Sequence, residues 1–214
     1  MIKTISYSGG KYGIYNEEEL KPELDRAEKF CDMLWYDEAF EVYYRLAQKH
    51  YPPALYKLGC AYYLGDGVDE CDSAAFDMFK RASELGYVPA HRMLGRCYCE
   101  GIGTDKKPRK AYSAFLKGAK AGDLDAMFGV WRCCDFGIGR KDDFAAAIPW
   151  IQKLADAGEG YAIPHLARAY FFGLRGLNRD RDRAIELYEK AAEQNNSEAI
   201  TKLKELFNEE YKLQ

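Results

Sequence analysis

Sliding the sequence along itself by 36 residues superposes Gly65, Gly101, Gly137 and Gly173. Two residues further on it superposes Gly67, Gly103 and Gly139, with Gly176 displaced by one inserted residue. A chain written as four copies of one unit is constrained chiefly by the contact each copy makes with the next. The same shift aligns Ala54, Ala90, Ala126 and Ala162, then Leu58, Leu94, Val130 and Leu166, then Tyr62, Tyr98, Cys134 and Tyr170. If the alanine is position 1 of its copy, these are positions 1, 5 and 9, one face of a helix. Beyond the glycines a second set recurs: Ala75, Ala111, Ala147 and Ala184; Phe79, Phe115, Ile151 and Tyr188; Ser83, Ala119, Ala155 and Ala192. Each unit therefore predicts a helix A, a glycine loop, a helix B, and a tight turn at Gly86, Gly122, Gly158 or Asn195, where a left-handed C-cap ends helix B. Two short helices cannot bury their apolar stripes alone, so each pair must lean on the next.

Composition agrees with such an array. The 214 residues are 48% hydrophobic and 30% charged, enough for a large core without disulfides or metals, and unlike a disordered tail, a collagen or a knottin. A formal charge of -3 argues against indiscriminate binding to polyanions. No stretch approaches the ~18 unbroken apolar residues of a membrane span. Met1 to Asn16 lack the apolar run of a signal peptide, which predicts a cytoplasmic protein. Seven cysteines then read as reduced thiols, most of them small apolar residues packed in helices.

The run Ala54-Leu58-Gly59-Tyr62-Gly65-Gly67-Val68 and its three echoes resemble the Sel1-like repeat family, related to tetratricopeptide repeats. The resemblance implies an all-α, right-handed superhelix of stacked antiparallel helix pairs. Four repeats are expected at 53–88, 89–124, 125–160 and 161–195. Residues 17–52, with Ala27, Phe30, Tyr36, Ala39 and Tyr43, resemble a tetratricopeptide-like pair without the glycine loop and read as an N-terminal cap. Ala199, Leu203 and Phe207 restart helix A in a charged capping helix over 196–214. Residues 1–16 form an extension open to three readings: a disordered segment, an internal ligand packed across the concave face, or a short strand added to a partner through Ile2, Ile5 and Tyr7.

Repeat three is irregular. Position 6 is small in the other copies (Gly59, Gly95, Ala167) but is Trp131 here, and position 9 is Cys134 instead of tyrosine. A volume exchange between the two is expected. Pro149 falls inside helix B, about seven residues after a start expected at Asp142, predicting a kink or a late start. Pro164 falls in a first turn, where it is harmless.

No catalytic constellation emerges, so an enzyme is not expected. His50, His91 and His165 occupy unrelated repeat positions and read as ordinary surface or turn residues. Gly101-Ile102-Gly103 and Gly137-Ile138-Gly139 lack the strand that precedes a phosphate loop. Cys97-x-Cys99 and Cys133-Cys134 diverge around a helix, so neither pair grips one tetrahedral ion. No metal or cofactor is expected.

The face of helix A opposite positions 1, 5 and 9 is read by positions 3, 7 and 10, which should line a concave surface. They are Tyr56, Cys60 and Tyr63; Arg92, Arg96 and Cys99; Phe128, Arg132 and Asp135; Pro164, Arg168 and Phe171; and Thr201, Glu205 and Asn208 in the capping helix. Arg96, Arg132 and Arg168 hold position 7 in three successive repeats with aromatics beside them. Forked guanidinium donors suit carboxylates, and aromatic rings give contact area at low entropic cost. The expected partner is a protein or an acidic, aromatic peptide; pairing of these arginines with acidic neighbours such as Asp135 is the competing reading. The family resemblance implies a non-catalytic interaction adaptor, or alternatively an immunity protein that neutralises a cognate toxin. A single-stranded nucleic-acid binder is a further alternative, against which the acidic total counts.

Overall fold

The computed structural model describes residues 2–6, 12–139, 144–174 and 176–212. A two-stranded antiparallel hairpin, β1 (Ile2–Ser6) and β2 (Tyr12–Asn16), pairs Ile2 with Asn16 and Ser6 with Tyr12. Helices follow in sequence: α1 (Glu17–Asp32), α2 (Tyr36–Gln48), α3 (Pro52–Leu64), α4 (Asp72–Glu84), α5 (Val88–Glu100), α6 (Pro108–Lys120), α7 (Leu124–Asp135), α8 (Phe144–Asp156), α9 (Ala162–Phe172), α10 (Arg181–Glu193) and α11 (Ser197–Lys212). The fold class is all-α, a helical solenoid of the kind the repeat demands, with the hairpin as an addition that a helix-period reading did not resolve. The chain divides into two compact units, Met1–Ala126 and Met127–Gln214. In the first unit α1 to α6 pack neighbour on neighbour, and in the second α8 to α11 do the same.

Local chemistry sets the helix ends. Proline occupies the opening turn of α3, α5 and α6, where its missing N–H leaves no intrahelical bond unmade. The Asn16 side chain accepts from Glu18 N–H (3.2 Å) and Asp180 from Arg183 N–H (3.0 Å). Asp123 and Asn196 accept from Ala126 and Ala199 N–H in the same way, so four helices open on a side-chain cap. The B helices close as expected: Gly86, Gly122, Gly158 and Asn195 are all left-handed, with φ of 79°, 95°, 85° and 60°. The next N–H reaches back to the helix in each case, as in Tyr87 to Ala82 and Asp123 to Gly118, a Schellman closure.

The glycine loop is closed by one repeated bond. Cys71 N–H donates to Tyr62 C=O (2.8 Å) and Lys107 N–H to Tyr98 C=O (2.8 Å). In repeat four Asp180 N–H donates to Tyr170 C=O (2.9 Å), one residue further along because of the insertion before Gly176. The second loop glycine meets the preceding unit of the array. A Cβ on Gly67 would overlap the carbonyl of Tyr36, and one on Gly103 the carbonyl of Asp72. Tyr36 and Asp72 each open the preceding helix B and are themselves 36 residues apart. Both glycines also have positive φ, 73° and 62°.

Helices A and B of one repeat touch through position 6. A Cβ on Gly59 would lie 2.8 Å from the ring of Phe79, and one on Gly95 2.6 Å from the ring of Phe115. Trp131 occupies this position in repeat three, where the helix B residue is Ile151 rather than phenylalanine. The indole is 4% exposed, and its ring lies 5.2 Å from Phe128 and 4.9 Å from His165. Cys134 is fully buried, so a small residue stands at position 9, but the loss of the helix B ring is a second source of room that a single-helix reading misses. α8 continues through Pro149; Asp142, where its start was expected, lies outside the described residues. Pro164 is the third residue of α9 and buried. At the C-terminal end Ala199 and Leu206 are buried while Lys204 and Glu205 face solvent; the side chain of Phe207 lies outside those described.

The two kinds of loop glycine differ in a testable way. Gly122 has nothing within 4 Å of a built Cβ, so Gly122→Ala meets only the left-handed backbone penalty, about 1 kcal/mol. Gly103→Ala adds overlap with the backbone of Asp72 and should destabilise by clearly more, about 2 kcal/mol or above. Urea unfolding of the two variants checks this, and equal losses would contradict it.

Candidate partner-binding face

Burial on helix A leaves a narrow strip uncovered. In α5, positions 1, 2, 4, 5, 6, 8 and 9 are buried, from Ala90 to Tyr98, while Arg92, Arg96 and Cys99 at positions 3, 7 and 10 are only half-buried. Tyr56, Cys60 and Tyr63 show the same pattern on α3. On α7 and α9, Phe128, Arg168 and Phe171 are half-buried and Arg132 is exposed. Pro164 departs from the pattern, because at the opening turn of α9 it is covered. Asn208 lies outside the described side chains.

In the first unit the arginines already have partners. Arg92 forms an ion pair with Asp125 through Nη1, and its Nη2 lies 3.5 Å from the Tyr56 hydroxyl. Its Nε is buried without a hydrogen-bond partner. Tyr56 is itself wedged between Phe79 and Tyr87, with centroids 5.8 and 5.4 Å away. Burial pushes its hydroxyl pKa up, against the lowering effect of Arg92. Arg96 lies over the Tyr63 ring at 5.9 Å and its Nε is 3.6 Å from Glu100. The acidic neighbours of these two arginines are Asp125 and Glu100.

The second unit is different. Arg132 lies 5.8 Å over the Phe128 ring, and that ring meets Tyr161 edge-on at 4.7 Å. Arg168 is half-buried, and burial raises the pKa of the Tyr188 phenol against a lesser lowering by the Arg168 charge. Among the described residues neither Arg132 nor Arg168 has an ion-pair partner. Phe171 sits edge-on to Phe172 at 4.9 Å and under Arg179 at 5.7 Å. Repeat position 11 adds a feature that the wheel did not single out. Leu64, Phe136 and Phe172 hold it in repeats one, three and four, and all three are more than half exposed. Their shared register is visible in the sequence, but position 11 lies beyond the three positions chosen by direction.

The histidines are not alike. His50 is an exposed turn residue with φ of 57°, as expected, and His165 is half-buried against Trp131. His91 corrects the sequence reading: it is 9% exposed, with Nδ1 2.7 Å from the Ser83 hydroxyl. Position 2 of helix A faces helix B, which the three-position wheel left unassigned. Burial lowers its pKa, the Lys117 charge lowers it further, and Asp123 partly opposes them. Cys97, Cys133 and Cys134 are buried, and burial raises the Cys97 thiol to about 11. Among the described residues no group of three or more His, Cys, Asp or Glu could hold a metal ion, and no helix is long and apolar enough to cross a membrane.

Helix pairs joined by glycine loops, with an aromatic and cationic strip left open on the A helices, define a helical-repeat scaffold suited to protein–protein interaction. A sequence model of the Sel1 repeat matches residues 52–87, 88–123, 125–159 and 165–196, and the chain belongs to this family, which is generally non-catalytic. Among solved structures it is similar to a protective antigen of uropathogenic Escherichia coli with the same repeat fold, at 26% identity and a TM-score of 0.80 over 86% of this chain. This chain spans 40% of that antigen's length. A Sel1 repeat protein of Oxalobacter formigenes is also 26% identical, with a TM-score of 0.74 over 82% of this chain and 71% of its own. A Sel1 repeat protein of Klebsiella pneumoniae, 16% identical with a TM-score of 0.53 over 87% of this chain and 92% of its own, shares the fold. No curated protein matches this chain.

The buried imidazole makes stability depend on pH. Because the folded pKa of His91 is below the ordinary 6.5, the unfolded chain binds more protons at mildly acid pH. Its contribution is complete above about pH 6.5 and is lost as pH falls towards the folded pKa. The melting temperature should drop between about pH 7 and 5, and His91→Gln should flatten that drop. An unchanged slope in His91→Gln would show that other groups carry it.

Proposed function

We propose that the chain is a non-catalytic cytoplasmic adaptor that binds an acidic, aromatic segment of a partner protein along the free face of its A helices. The observation that carries this reading is the state of Arg132: exposed, laid over Phe128 and, among the described residues, without an ion-pair partner. Arg168 holds the same repeat position on α9, also without an ion pair among the described residues. A guanidinium held by an aromatic ring keeps its forked edge available for a carboxylate, and stacking restricts its motion before the ligand arrives. Phe128 and Phe171 then supply contact area for apolar or aromatic side chains of the same segment.

Arg92 and Arg96 play a lesser part. Their pairs with Asp125 and Glu100 are partly exposed, with the acidic side chains 65% and 50% accessible, and such pairs are worth only about 0–1 kcal/mol. A ligand carboxylate can replace those partners at little cost. On α3 of the first unit, Tyr56 and Tyr63 offer aromatic contact area of their own.

Capturing partners from the native cell with immobilised protein, then measuring affinity for the captured protein, tests the reading. Arg132→Glu with Arg168→Glu should weaken binding at least about a hundredfold, as reversal of two charge-assisted contacts does. Arg92→Glu with Arg96→Glu should weaken it less. Circular dichroism should be unchanged in both, since these side chains lie outside the core. Unchanged affinity in the first pair would refute the assignment.

A further inference from the structure

In the first unit, α1, α2, α3 and the loop that follows border a cavity of about 500 Å³. Its walls include four aromatic side chains, Tyr36, Phe40 and Tyr43 from α2 and Tyr56 from α3. Glu28 and Lys57 also line it and satisfy each other at 2.8 Å. Asp32 and Asp66 complete the lining, and among the described residues neither has an ion-pair partner. The cavity thus carries a surplus of two negative charges among aromatic side chains. The remaining polar groups do not offset it: burial raises the pKa of the Tyr43 hydroxyl and of the Cys60 thiol, so both stay neutral.

Aromatic faces attract cations through their quadrupole, and carboxylates accept the donors of guanidinium or ammonium groups. Both wall types therefore favour the same charge and disfavour an anion. The turn between α1 and α2, bracketed in sequence by Asp32 and Tyr36, adds an apolar element. Met33, Leu34 and Trp35 are 57%, 70% and 52% exposed. Leu34 is held at φ of 62°, a conformation in which a bulky residue is an outlier. Three consecutive exposed apolar side chains on one turn give this end of the first unit apolar surface on which a partner's apolar residue can rest.

We propose that this cavity is a binding site for an arginine or lysine side chain of a protein partner, with a neighbouring apolar residue of that partner resting on Met33, Leu34 and Trp35. It takes the opposite charge from the arginine-bearing face, and it stands or falls independently of that face although Tyr56 borders both.

The probes are three acetylated and amidated tetrapeptides, Gly-Arg-Leu-Gly, its citrulline analogue and its glutamate analogue. Citrulline has the shape of arginine without the charge. Titration of the full chain, followed through the ring resonances of Tyr36 and Phe40, should give saturable shifts with the arginine peptide. The citrulline peptide should bind roughly tenfold more weakly, and the glutamate peptide should give no saturable shift. Asp32→Asn with Asp66→Asn should erase the difference between arginine and citrulline, whereas Arg132→Glu with Arg168→Glu should leave it intact. Should the double Asp variant fold poorly, the exposed Asp32→Asn alone should reduce the difference. Equal binding of arginine and citrulline, no saturable shift at millimolar peptide, or a difference that survives loss of the carboxylates would overturn the proposal.

Discussion

The contact on which the described stacking of the first unit depends is the approach of a loop glycine to the opening carbonyl of the helix B before it. Gly67 meets Tyr36 and Gly103 meets Asp72, with no room for a single added carbon. Hard-core overlap is steep, so this contact fixes the distance between consecutive helix pairs more sharply than apolar packing does. The spacing of 36 residues between the two carbonyls and between the two glycines is the sequence record of that contact. Gly176 shows what happens when the register slips. One residue is inserted before it, and among the described residues its built Cβ meets Ala145 at an ordinary 3.7 Å, while the loop keeps its left-handed turn.

Much of this fold was legible because it rests on local rules. Four left-handed turns follow from glycine or asparagine at one repeat position, and the free strip at positions 3, 7 and 10 follows from which residues are apolar. Position 6 was harder to interpret: Gly59 and Gly95 are small because Phe79 and Phe115 lie against them, a fact that belongs to two helices at once. His91 was misread for the same reason, since a wheel drawn for one helix does not show the Ser83 hydroxyl on the helix before it. The arginine strip was visible as a register, but its ion pairing was not. Asp125 is 33 residues from Arg92 in sequence, and only the packed repeats bring them together. The acidic cavity had no distinct signature, because Tyr36, Phe40 and Tyr43 at helical spacing resemble an ordinary core stripe.

The pattern of pairing divides the labour among residues of one type. Arg92 and Arg96 offset local carboxylates on the first unit, where Asp125 and Glu100 would otherwise present unpaired negative charge. Arg132 and Arg168 have no such task among the described residues. A repeat array permits this divergence, because each side chain on the free face contributes little to the core and can change without disturbing the stack. The same freedom lets the first unit hold a cavity that favours cations in a protein whose open strip favours anions.

Mapping amide chemical shifts of isotope-labelled protein on addition of a synthetic peptide rich in Glu, Tyr and Phe tests the central claim most directly. The account predicts saturable shifts concentrated around Phe128, Arg132, Arg168 and Phe171 on α7 and α9, with the exposed faces of α8 and α10 unaffected. Shifts confined to the B helices, or none that saturate, would contradict it.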